Sequence, residues 1–258
     1  MRIRLRKRFA LATLMLLLLG FSPRASATEP ECRDATPAEK QAAEKVATAL
    51  KKNLEAPLLA GDWQMASGKT ALQNLSIANK PLPKRPLMSC SRIFDVKLQI
   101  KPESERGKKL SALNDSYAPQ AQNEMAQAAK GINAGTDAIK KQAQILLEEG
   151  FEINVTENVP YLRERVDSAM SRLNVPGSAL AYRLAASSEG ENPVSVICFG
   201  NWKDYPWNKN TYIPFPFVHS PGTPFIENMC VNLVAPDDVA DSIIKSTDWG
   251  RINDALTR

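Results

Sequence analysis

The first 27 residues decide what the rest of the chain can become. "MRIRLRKR" is a basic stretch and "FALATLMLLLLG" an apolar run of about a dozen residues. Ala25, Ser26 and Ala27 then supply the small residues that a signal peptidase needs. The run falls short of the ~20 apolar residues that cross a bilayer. Residues 1–27 therefore read as a cleaved signal peptide, and the chain that folds is expected to begin at Thr28. The expected destination is the bacterial periplasm or the exterior, as a soluble protein with no transmembrane anchor. No cysteine follows the apolar run closely enough for lipid attachment, and the paired arginines of a twin-arginine signal are missing.

This reading changes the charge. The leader holds Arg2, Arg4, Arg6, Lys7, Arg8 and Arg24 and no acid; removing those six from 33 Lys+Arg leaves 27 against 28 Asp+Glu. The sequence pI of about 9.0 is thus a property of the precursor. A near-neutral chain lacks the basic footprint that nucleic-acid binding requires, so no nucleic acid is expected as a partner.

All four cysteines, Cys32, Cys90, Cys198 and Cys230, lie beyond the leader. An even count in an exported chain reads as disulfides, and of the three possible connectivities Cys32–Cys90 and Cys198–Cys230 keep each bridge within one half. Zinc-type spacing and CxxC redox spacing are both missing, so neither metal nor cofactor is expected.

The expected fold class is α+β: a mainly antiparallel sheet in the C-terminal half with helices packed on one face, plus a helix-rich N-terminal half. The expected division is an N-terminal helix-rich lobe with one strand over 28–110 and a C-terminal α+β region over 111–258, with one continuous domain as the alternative. Thr36, Pro37 and Glu39 form a capping box that opens a helix, with Ala43, Val46, Leu50 and Leu54 at helical spacing until Pro57. "CSRIFDVKLQI" reads as a strand and "KPESERGKK" as a solvated loop. Residues 119–150 read as two helices split near Gly131 and Gly135, with Gly150 at the C′ position. "FEINV" reads as a strand. Asn158 and Pro160 are then expected to start a helix striped by Leu162, Val166, Ala169 and Leu173. "SALAYRLAA", "VSVICFG" and "MCVNLVA" read as strands, and "PDDVADSIIKS" and "DWGRINDAL" as closing helices.

Few motifs suggest chemistry. "GDWQMASGKT" ends in GKT, but the nearest upstream glycine, Gly61, is two positions too early for a phosphate loop. His219 is the chain's one imidazole, and no G-x-S-x-G elbow accompanies it. Asp237 and Asp241 share a helix face beside Asp238 and could form a carboxylate pair; acids in a first turn also simply offset the helix dipole. No catalytic residue is assigned. A hydrolase using Asp or Glu is kept as the alternative function, beside a purely structural envelope protein. The sequons at Asn74 and Asn154 matter only in a eukaryotic secretory route.

The remaining candidate is "NWKDYPWNKNTYIPFPFVHSPGTPF" (201–225), with two Trp, two Tyr and three Phe among five prolines. Trp and Tyr suit protein hot spots and sugar stacking, and the prolines favour a stiff, extended loop. The competing expectation is that so long a connection packs its own rings to stay ordered. The leading functional expectation is a binding module for a protein partner or an envelope glycan. Its contacts would come from Trp202, Tyr205, Trp207, Tyr212, Phe215, Phe217 and His219.

Overall fold

A computed structural model describes residues 32–69, 76–78, 93–131, 135–159, 161–163, 170–188, 190–202, 212–215, 218 and 226–256. Strand β1 (Cys32–Asp34) leads into helix α1 (Pro37–Leu50). The capping box is formed as expected: Thr36 Oγ1 accepts from the Glu39 N–H and the Glu39 carboxylate accepts from the Thr36 N–H. The helix does not stop at Pro57. It widens into a π turn (Lys51–Glu55) and continues as α2 (Ala56–Ala60), with Pro57 directly past the widened turn, after the Ala56 N–H has bonded the Lys51 carbonyl. Asn53 Nδ2 donates to the Ala49 carbonyl within this wider turn.

Strands β2 (Trp63–Lys69), β3 (Ser76–Ala78) and β4 (Phe94–Ile100) follow. The GKT stretch enters β2, where Gly68 and Lys69 pair with Val96 and Asp95, so no strand-to-helix phosphate loop forms there. Helix α3 (Glu105–Ala129) begins inside the segment expected to be a loop, because Ser104 Oγ accepts from the Gly107 N–H and caps it. Pro119 lies within α3 without ending it. The break at Gly131 (φ +72°) is as expected, and α4 spans Asp137–Glu148. Gly150 directly follows the Glu149 C-cap, at the expected C′ position, and is also the first residue of β5 (Gly150–Glu157); a Cβ there would lie 2.8 Å from the Leu98 carbonyl oxygen.

The helix expected after Asn158 is replaced by two short strands, β6 (Tyr161–Arg163) and β7 (Met170–Arg172). Asn158 adopts φ +46°, which turns the chain out of β5 and is incompatible with a helix start. Leu162 is then paired with Ile213 instead of with a helical turn. Residues 164–169, with Val166 and Ala169 of the expected stripe, lie outside the described residues. The chain ends with β8 (Leu180–Leu184), β9 (Val194–Gly200), β10 (Tyr212–Pro214), β11 (Asn228–Val234), α5 (Asp237–Ser246) and α6 (Trp249–Asn253).

Seven strands form one antiparallel sheet in the order β2-β4-β5-β11-β9-β8-β7, so the fold is α+β. The ribbons β1-β3 and β6-β10 stand apart from it. Period-2 alternation divides the sheet's two faces. One carries Phe94, Val96, Leu98, Ile153, Val155, Ile197, Phe199, Val231 and Leu233, covered by apolar residues of the helices, Val46, Leu50, Leu110, Ile145, Ile243 and Ile252 among them. Burying each large side chain stabilises the fold by roughly 1.5–3 kcal/mol. On the other face, Leu180, Tyr182, Val196, Cys198 and Cys230 form a smaller cluster with Trp202 and Phe215.

Candidate functional site

The aromatic stretch leaves the sheet at the end of β9 and returns at the start of β11. These strands are adjacent and in register, with Cys198 opposite Cys230. The two cysteines are bonded, with Cα atoms 4.1 Å apart, as expected for the second bridge. Cys90 and the side chain of Cys32 lie outside the described residues. Beyond the disulfide, Gly200 turns the chain at φ +109°, where a Cβ would lie 2.5 Å from the Glu227 carbonyl oxygen. Only glycine takes that turn without strain.

Two rings of the stretch fold back onto this corner. Trp202 is buried, donates its indole N–H to the Phe199 carbonyl at 3.2 Å, and meets Phe215 edge to face with centroids 4.9 Å apart. Phe215 is buried as well and follows β10, which pairs with β6. Val218, by contrast, is 80% exposed, and its N–H donates to the Glu227 carboxylate at 2.8 Å. The structure thus brings together Trp202, Phe215, Cys198 and Cys230. Tyr205, Trp207, Phe217, His219 and the side chain of Tyr212 lie outside the described residues.

A buried amide network ties the same corner to β5. Asn228, fully buried, accepts from the Val159 N–H at 2.8 Å and donates to the Val159 carbonyl at 3.1 Å. Asn158 accepts from the Glu227 N–H at 2.9 Å and donates its own N–H to the Asn228 carbonyl.

The acidic cluster at the start of α5 is held by arginines. Arg183 bridges Asp237 (3.0 Å) and Asp241 (2.7 Å) and donates to Ser195 Oγ. Arg106 pairs with Asp238 at 2.7 Å and stands over the Trp63 ring at 5.9 Å. Burial works against the Asp238 charge, but the Arg106 hydrogen bond and positive charge outweigh it and hold the carboxyl below its ordinary value. These three aspartates fasten α5 to β8 and α3. Asn154, the second sequon, is buried in β5 between Asp95 and Asn232 and offers no attachment point for a glycan.

One carboxylate was not anticipated. Glu157 ends β5 on the helix-covered face, in phase with Phe151, Ile153 and Val155, and it is buried. Its Oε2 has no hydrogen-bond partner among the described residues. Burial, with the nearby Glu39 charge, pushes its carboxyl up to about 8. Glu39 is also buried, but the Arg33 guanidinium holds it below the ordinary range, against the cost of burial and with help from Thr36. The period-2 pattern of "FEINVTE" already places Glu157 on the apolar face and could have flagged it. Among the described residues, no group of three or more His, Cys, Asp or Glu could hold a metal ion.

Taken together, these features define a disulfide-stabilised α+β protein with an aromatic connection anchored on the open sheet face. No helix among the described residues is long and apolar enough to cross a membrane. The chain matches no family model, no curated protein and no solved structure.

Proposed function

We propose that the protein is an exported binding module for an envelope protein or glycan, working through the aromatic stretch 201–225. The observation that carries this reading is the double anchor. Trp202 and Phe215 pack against each other over the Cys198–Cys230 bridge, so the chain between them starts and ends at fixed points. Holding a segment's ends lowers the entropy lost when it engages a partner. Trp202 and Phe215 then act as supports, and contact falls to Tyr205, Trp207, Tyr212, Phe217 and His219. The exposed Val218, flanked by Phe217 and His219, supports an outward-facing position within the stretch.

A structural reading draws on the same two rings. Both are buried, as they would be if the whole stretch merely covered the sheet. Photo-crosslinking separates the two. A photoreactive residue at position 205 or 207, exposed to native envelope, should transfer its label to a discrete protein or glycan, while one at the exposed Glu103 should not. Equal labelling from all three positions would support the structural reading.

A further inference from the structure

We propose that Glu157 is a proton-dependent clip: while its carboxyl holds a proton, β1 and the first turn of α1 stay docked, and loss of that proton opens this corner. Arg33 Nη2 donates to Glu39 Oε1 at 2.8 Å and Arg33 Nη1 donates to Glu39 Oε2 at 2.9 Å. Glu39 Oε2 also accepts from the Thr36 N–H at 2.7 Å. The bidentate face of the guanidinium is therefore occupied by Glu39.

Glu157 sits beside Glu39 with Oε2 unpartnered among the described residues, 6% exposed, against 8% for Glu39. Among the described residues, the charges beside Glu157 are Glu39 from α1, with Arg33 of β1 bound to it. From the β11 side, the cross-strand neighbour of Glu157 is Met229, which brings no charge, and the buried Glu227 carboxylate, two residues earlier, accepts from the Val218 N–H. As a neutral acid, Glu157 tolerates these surroundings. As an anion, it would face the buried Glu39 carboxylate, whose guanidinium partner is already in use, and like charges in a water-poor site repel strongly.

The corner yields on the α1 side. β5 is paired along both edges, with β4 and β11, whereas β1 pairs with the three-residue β3 in a separate ribbon. Arg33 is already one-third exposed, so water reaches the clip from that side. Moving β1 and the first turn of α1 outward hydrates all three charged groups without breaking the sheet.

Amide hydrogen exchange of the whole folded protein tests the clip, with rates corrected for intrinsic pH dependence. Between pH 6 and pH 9, protection over Lys40–Glu44, the amides bonded to the first turn, should fall at least tenfold while β9 and β11 stay protected. In Glu157→Gln, which keeps the shape and cannot ionise, that fall should vanish. An equal fall in the variant, or none in the wild type, overturns the proposal. Should the variant not fold, carbon-13 titration of the wild-type glutamate carboxyls decides. A Glu157 titration that coincides with the exchange midpoint supports the clip, and one below pH 6 refutes it.

Discussion

Trp202 and Phe215 meet edge to face, with ring centroids 4.9 Å apart, above a sheet face built around Cys198 and Cys230. The first and the fifteenth residues after Gly200 are different cases: Asn201 is exposed, while Phe215 is drawn back to the sheet beside Trp202. Removing either ring leaves a cavity and an exposed partner. Trp202→Ala should cost about 3–5 kcal/mol in equilibrium denaturation. With Phe215→Ala, the double mutant should lose less than the sum, by about 0.5–1.5 kcal/mol, the worth of an edge-to-face pair. A loss below ~1 kcal/mol for Trp202→Ala would remove this ring from the core.

The disulfide closes a connection of 32 residues. In the chain-entropy account a loop of that size is worth roughly 3–4 kcal/mol. Replacing Cys198 and Cys230 together by Ala should lower stability by about that much. Both cysteines are buried, so a mild reductant acting on the native fold should leave the bridge intact. Alkylation and mass spectrometry before and after adding denaturant will show whether reduction requires unfolding.

Asn228 satisfies both polar backbone groups of Val159 from a fully buried position. Asn228→Ala strands the Val159 N–H and carbonyl together, at a cost of roughly 2–4 kcal/mol. Asn228→Asp should not restore stability, because a carboxylate oxygen would then face the Val159 carbonyl. Thermal melts of the three proteins give the ranking directly.

Much of this fold was legible because its long elements repeat their pattern many times. β9 and β11 are seven-residue strands with clear punctuation, and α1 opens on a complete capping box. The errors fall where the local signal is short or borrowed. Leu162, Val166, Ala169 and Leu173 have helical spacing, yet a three-residue strand such as β6 shows no period of its own. Its assignment depends on a partner, β10, some fifty residues away in the chain. Pro57 breaks a regular helix but sits easily after a π turn, which sequence spacing does not reveal. The site divides in the same way. The Cys198–Cys230 bridge followed from count and position, whereas the inward carboxyl of Glu157 needed the strand's phase to be carried two residues past its last apolar residue, Val155.

Glu157 and Glu39 should give the stability curve opposite slopes. Glu157 is raised from 4.5 to about 8, so its contribution is complete below pH 4.5 and is lost as pH rises toward 8. The slope is at most about 1.4 kcal/mol per pH unit, and a few kcal/mol in all. Glu39 is lowered, so its contribution is complete above 4.5 and is lost as pH falls through its folded value. Stability against denaturant, measured between pH 3 and pH 9, should therefore peak near pH 4–5, and Glu157→Gln should flatten the alkaline limb alone. An unchanged alkaline limb in the variant would place the titration elsewhere.

The central claim is a division of labour within 201–225, in which Trp202 and Phe215 hold the chain and Tyr205 and Trp207 meet the partner. The most direct measurement compares Tyr205→Ala/Trp207→Ala with wild type, in crosslinked capture from native envelope and in thermal stability. The account requires the captured partner to disappear while the melting temperature stays within a degree or two of wild type. Capture that persists undiminished, or a variant that unfolds as Trp202→Ala does, would contradict it.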